Sequence, residues 1–204
     1  MRAASNGTYL IFAGGAYSWN EVDVDAYNSS LTKYTSPTTL ASARSRHAAT
    51  NIGNYALFAG GGSATTEAYN KSLTKTTASS NCHTSANYIA AASVGNYAIF
   101  AGDSTTITAY NSSLTRSTAT VMSSARIYLA GTSLKNTFAI FGGGNLSNTV
   151  DVITDTLTKS TPQTLSQGRS YLAAASIGDY ALFAGGGTGD YLNSSVTTVD
   201  VYTI

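Results

Sequence analysis

Short apolar runs separated by Gly, Asn, Ser and Thr follow one another along the whole chain, and no apolar spacing of three and four persists long enough to make an amphipathic helix. The runs are of two kinds. Tyr9-Leu-Ile-Phe-Ala, and its likes beginning at Tyr55 and Tyr180, are apolar at successive positions, which predicts strands buried on both faces. Val22-Asp-Val-Asp-Ala-Tyr and Val199-Asp-Val-Tyr alternate apolar with acidic, which predicts strands with two unlike faces. Abundant Thr and Tyr favour extended backbone, so the chain reads as all-β.

The fully apolar run recurs five times, as TYLIFAGG from Thr8, NYALFAGG from Asn54, NYAIFAGD from Asn96, TFAIFGGG from Thr137 and DYALFAGG from Asp179. Its leading aromatic stands at Tyr9, Tyr55, Tyr97, Phe138 and Tyr180, which are 46, 42, 41 and 42 residues apart. A period of that size holding several short strands predicts the blade of a β-propeller. The expected fold is therefore one domain over residues 1–204, a five-bladed propeller of four-stranded antiparallel blades, with repeats near 1–43, 44–85, 86–126, 127–168 and 169–204.

Each period has the same internal order. The innermost strand, A, is a run of small residues at 48–52, 89–94, 129–134 and 172–177, with a shortened first copy at 3–5. Strand B is the apolar run, closed by a pair of glycines that permit tight turning. Strand C is the alternating run, and Asn-x-Ser turns it into strand D, which opens as Leu-Thr-Lys at Leu31, Leu73 and Leu157 and Leu-Thr-Arg at Leu114. After Tyr202 no strand D follows, so the last blade is expected to lack its outer strand and to offer an edge for self-association.

The Gly pairs Gly14-Gly15, Gly60-Gly61, Gly142-Gly143 and Gly185-Gly186, the strand C tyrosines Tyr27, Tyr69, Tyr110 and Tyr202, and an Arg ahead of strand A carry a resemblance to the kelch-type β-propellers over essentially the whole chain. The chain departs from that pattern in places. The kelch Trp on strand D is here Tyr34, Thr76 or Ser117, the third Gly pair is Gly102-Asp103, and the fourth strand C has Ile153 in place of Tyr. The kelch-like oxidases hold copper with tyrosine, cysteine and histidines, a set that two His and one Cys do not reproduce, so no cofactor and no metal are expected.

Aligned copies place Arg44, Ala86, Arg126 and Arg169 in one column before strand A, and Glu67, Thr108, Asp151 and Asp200 in one column of strand C. The columns change together, which predicts structural salt bridges Arg44–Glu67, Arg126–Asp151 and Arg169–Asp200, each fixing its blade. Asp25 in the first copy has no such Arg, and Arg2 is the candidate to stand in for it.

Composition narrows the partners. Eleven Lys and Arg against ten Asp and Glu give a net charge of +1, and only 10% of residues are charged, against about 25% in ordinary domains. No basic patch announces nucleic acid, and no run is long enough for membrane insertion or a secretory h-region. Cys82 has no disulfide partner, and the side chains of Cys82 and His83 are expected to diverge in extended chain. No Gly-x-Ser-x-Gly, Walker or Rossmann motif occurs, so no catalytic residue is assigned and the chain is not expected to be an enzyme. Sequons at Asn28, Asn70 and Asn111 recur at the C-to-D turn and are read as turn chemistry.

Loops on a rigid scaffold are where binding determinants concentrate. The B-to-C connections are longest in the first and fifth copies, at 15–20 and 185–196, and ring closure would bring them to one seam. The candidate ligand-binding residues are accordingly Tyr17, Trp19 and Tyr191, with Asn20 and Asp190 beside them to hydrogen-bond hydroxyls. The leading reading is a non-catalytic propeller scaffold for protein or surface interactions. The alternatives are a lectin-like propeller that stacks sugars on those aromatics, and a piece of a longer propeller array.

Overall fold

The computed structural model describes residues 1–16, 21–34, 37–189 and 194–203. The first blade holds β1 (Arg2–Ser5), β2 (Tyr9–Ala13), β3 (Val24–Asn28) and β4 (Lys33–Tyr34), and the second β5 (Ala48–Ile52), β6 (Tyr55–Ala59), β7 (Glu67–Tyr69) and β8 (Lys75–Thr77). The third holds β9 (Ala90–Val94), β10 (Tyr97–Gly102), β11 (Ser104–Tyr110) and β12 (Arg116–Thr118). The fourth holds β13 (Ala130–Leu134), β14 (Phe138–Gly142), β15 (Val150–Thr154) and β16 (Lys159–Ser160), and the fifth β17 (Ala173–Ile177), β18 (Tyr180–Ala184) and β19 (Val199–Tyr202). Each blade is an antiparallel sheet with its strands in chain order, four of four strands and a last one of three.

The turns explain the strand limits. At the Asn-x-Ser of the C-to-D turn the Asn side chain folds back and accepts two backbone N–H bonds, from Ser72 and Thr74 to Asn70 Oδ1 at 2.9 Å each, with the same pattern at Asn28 and Asn111. The following leucines, Leu31, Leu73, Leu114 and Leu157, take left-handed backbone with φ of 58–60°. They therefore belong to the turn, and strand D starts two residues later than the sequence suggested, at Lys33, Lys75, Arg116 and Lys159. In the fourth blade the left-handed glycines are Gly143 and Gly144, not Gly142. Gly142 closes β14, where a Cβ would come within 2.9 Å of the Phe183 ring.

The core is divided into four apolar layers, one between each pair of successive blades. Three of the layers set aliphatic side chains of one blade against an aromatic pair of the next. Ile11 and Ala26 face Phe58 and Tyr69, Leu57 and Ala68 face Phe100 and Tyr110, and Ile140 and Val152 face Phe183 and Tyr202. Between the third and fourth blades the aromatic pair becomes Phe141 and Ile153, against Ile99 and Ala109. The Phe and Tyr of a pair meet edge to face at 5.7–6.2 Å, the arrangement their ring quadrupoles prefer.

The innermost strands pack in succession, β1 on β5, β5 on β9, β9 on β13 and β13 on β17, and no comparable packing joins β17 to β1. The fifth blade's outward face is bare, with Ile177 74% and Val201 54% exposed. On the first blade Phe12 and Tyr27 form the usual edge-to-face pair at 6.1 Å but stay half-buried, beside exposed Leu10 and Leu31. Among the described residues no seam of the kind expected from ring closure joins the first and fifth blades, and the described blades form an open arc.

Candidate functional site

Two groupings at the loop-bearing end of the blades hold the chemistry, one buried and one exposed. The buried one is the charge column. Antiparallel register sets each acidic residue of strand C opposite the Phe of strand B, Glu67 opposite Phe58, Asp151 opposite Phe141 and Asp200 opposite Phe183. From the loop entering the same blade an Arg reaches in. Arg44 Nη2 lies 3.0 Å from Glu67 Oε2, Arg126 Nη2 2.6 Å from Asp151 Oδ2 and Arg169 Nη2 2.8 Å from Asp200 Oδ2. All three arginines are buried. The second carboxylate oxygen accepts a backbone N–H from the same loop, of Ala41, Ser123 or Ser166, at 2.7–3.1 Å. Burial pushes the Asp200 carboxyl up, but the bonds from Ser166 and Arg169 outweigh it and hold the group below its ordinary range.

The third and first blades depart from this plan. Where the third lacks Arg, His83 fills the place. Its Nε2 lies 2.9 Å from the Gly102 carbonyl and must donate, which leaves Nδ1 to accept from the Thr108 hydroxyl at 2.9 Å. Burial lowers the His83 pKa and keeps it neutral. Its neighbour Cys82 does not diverge from it, since the segment is not a strand and Sγ lies 3.6 Å from Nδ1. In the first blade Asp25 pairs with Lys33 at 2.7 Å on the surface, and Arg2 instead donates to the His47 carbonyl at 2.9 Å, so Arg2 does not replace the missing Arg.

The exposed grouping was not anticipated. Arg46, Tyr88, Tyr128 and Tyr171 each stand two residues before an innermost strand, one from each of the second to fifth blades, and each has left-handed backbone with φ of 55–62°. The N–H of Tyr88, Tyr128 and Tyr171 donates to the carbonyl of the preceding member, Arg46, Tyr88 and Tyr128, at 2.8, 3.0 and 2.9 Å. That chain of bonds gathers the side chains. Ring centroids of Tyr88 and Tyr128 are 4.3 Å apart, those of Tyr128 and Tyr171 4.2 Å, and the Arg46 guanidinium carbon sits 5.0 Å from the Tyr88 centroid. Arg46 and Tyr171 are exposed, Tyr88 and Tyr128 half-buried. A hydrogen bond with Tyr128 pushes the Tyr171 phenol up to about 12, so Tyr171 presents a neutral hydroxyl at ordinary pH. Alignment of the four positions in sequence holds the signal, an aromatic or Arg two residues ahead of each run of small residues.

Tyr17, Trp19, Asn20, Asp190 and Tyr191 lie outside the described residues. Their described flanks, Glu21 and Gly187, bridge to Arg44 and Ser170 at the same end of the blades as the tyrosine platform. Among the described residues no three His, Cys, Asp or Glu converge as a metal would need, and no helix is long and apolar enough to cross a membrane.

No protein-family model and no curated protein matches this chain. Among solved structures it is similar to that of YjhT, with a TM-score of 0.76 and 13% identity over 99% of this chain and 80% of that one. Identity that low speaks for the fold. With the five antiparallel sheets it establishes a five-bladed β-propeller whose last blade has three strands.

Proposed function

We propose that this chain is a non-catalytic scaffold, a kelch-type propeller that offers its loop-bearing face to a protein or a glycan. The Arg46, Tyr88, Tyr128 and Tyr171 platform carries the reading. Left-handed backbone costs a residue with a Cβ roughly 1–2 kcal/mol, and four exposed or half-buried side chains there recover little of it through burial. Clustered phenols with an adjacent guanidinium suit a ligand that has an apolar ring face, flanking hydroxyls and an acidic group. Three strand C carboxylates, Glu67, Asp151 and Asp200, are held by buried arginines, and His83 is held by a carbonyl and a hydroxyl. The kelch assignment rests on the left-handed Gly pairs and the strand C tyrosines.

The test is a glycan array and a pull-down with the purified chain, run beside Tyr171→Ala and Trp19→Ala. Binding that falls at least about tenfold with Tyr171→Ala, a loss of one good aromatic contact, supports the platform. Loss confined to Trp19→Ala would move the site to the long B-to-C connections. Turnover of a bound ligand would end the non-catalytic reading.

A further inference from the structure

We propose that Tyr128 and Tyr171 form an oxidative staple, a pair of phenols that peroxide and a one-electron oxidant join carbon to carbon, fastening the fourth blade to the fifth. The coupling does not depend on what the tyrosine platform binds. The two residues hold the same place in successive blades, each two residues ahead of an innermost strand, with φ of 62° and 60°. Like backbone at like positions sends both side chains out of their loops in a similar direction, and the Tyr171 N–H bond to the Tyr128 carbonyl at 2.9 Å fixes the spacing of the two segments. The rings overlap as a result, with 4.2 Å between centroids and 32° between planes, closer than the roughly 4.5–7 Å of most aromatic pairs. Their hydroxyls hydrogen-bond one another. Overlapping rings whose oxygens meet also bring together the ring carbons next to those oxygens, and these are the carbons at which phenoxyl radicals couple.

Each phenol gives up one electron and its hydroxyl proton to become a neutral phenoxyl radical, whose unpaired electron is shared with the carbons ortho to oxygen. One ortho carbon of each ring then forms the new bond. The hydrogen displaced at each of those carbons passes as a proton to its own ring oxygen, which restores two phenols. The chain has lost two electrons and two protons, and these reduce one hydrogen peroxide to two waters. Because the rings are already held together, coupling within the chain outruns coupling between chains, as for any pair of reactants fixed in contact.

Other tyrosine pairs among the described residues are less well disposed. Tyr88 and Tyr128 are 4.3 Å apart but inclined at 55°, and the Arg46 guanidinium over the Tyr88 ring opposes removal of an electron from it. Tyr88 meets Tyr171 edge to face at 6.0 Å and 86°, and Tyr9 meets Tyr34 at 6.0 Å and 68°. The aromatic pairs of the core layers join a Phe to a Tyr and so lack the second phenol. Cys82, a thiol that would otherwise intercept the oxidant, is buried.

The experiment treats the folded 204-residue chain with hydrogen peroxide and a haem peroxidase, beside Tyr171→Phe and Tyr88→Phe. The expected product is a monomer lighter by two hydrogens, with the blue fluorescence of a biphenol. Trypsin cuts after Arg126, Lys135 and Arg169, so Tyr128 and Tyr171 leave on separate peptides, 127–135 and 170–204, and fragment sequencing of the joined pair should place the bond at those two residues. Tyr171→Phe keeps the ring and should lose the product, whereas Tyr88→Phe should retain it. The oxidised native chain should also unfold at a higher urea midpoint than the untreated one, since the bond restricts the unfolded chain as a disulfide does, and oxidised Tyr171→Phe should show no such rise. Product that survives Tyr171→Phe, a bond mapped to any other tyrosine, cross-linked dimers alone, no product, or an unchanged midpoint in the cross-linked chain would each overturn the proposal.

Discussion

A buried arginine is tolerable only because a carboxylate answers its charge, and Arg126, 2% exposed, shows how narrow that tolerance is. Its guanidinium meets Asp151 and the Thr149 carbonyl at 2.6 Å each, within an otherwise apolar wall. Asp151→Asn strands the cation in that wall and is expected to cost about 3–5 kcal/mol, read as a lower denaturant midpoint with unchanged m. His47 is the opposite case, a titratable group with no charge to answer it. Burial first, then Arg44, the amino terminus and Arg2, lower its pKa from 6.5 to about 3. Above pH 6.5 neither folded nor unfolded chain binds that proton. Between pH 6.5 and 3 only the unfolded chain does, so stability falls as the solution is acidified through that window. His47 occupies the position held by Leu129 and Leu172 in later blades, and His47→Leu should remove this part of the slope and raise stability at pH 5. Urea titrations of both proteins at pH 7 and pH 5 check it. The Arg and acid columns were legible because they vary together. His83 was not, because it enters the same space from three residues earlier in a loop that periodicity does not constrain.

Strands are set by pattern and stopped by turn geometry. The A, B and C strands followed from small, apolar and alternating runs, since those patterns state directly how many faces of a strand are buried. Strand D shrank because its leading Leu is the left-handed end of an Asn turn, a conformation that hydrophobicity does not report. At the end of strand B, Gly61 has φ of +73° and a Cβ there would run into the Ser45 carbonyl. Gly61→Ala is expected to destabilise by more than about 1 kcal/mol, the backbone cost alone, in thermal melts. Asp103 holds the equivalent place in the third blade with φ of +66°, which short polar side chains accept. The tyrosine platform escaped the sequence reading because its members are separated by a whole repeat and meet only through the packing of successive blades.

Across the whole molecule the blades support one another by a repeated layer, and the arc ends with half a layer on each side. Val152 and Val201 occupy the same place in β15 and β19, 1% and 54% exposed. Val152→Lys buries an unpaired ammonium and should unfold the chain or cost more than about 4 kcal/mol. Val201→Lys keeps its charge in water and should change stability by less than about 0.5 kcal/mol. Denaturation of the two variants side by side measures how far the fifth blade's face is free. If another blade or chain covers that face, the second substitution will be as damaging as the first.

The five-fold period, the order of strands within it and the paired charges were all determined by the sequence, because each is a local pattern or a comparison between copies of one unit. Tertiary structure alone decided the rest. Whether the first and fifth blades meet depends on accumulated rotation from blade to blade, which no single repeat encodes. Which side chains gather at the loop-bearing face depends on residues far apart in the chain being carried to one place by packing.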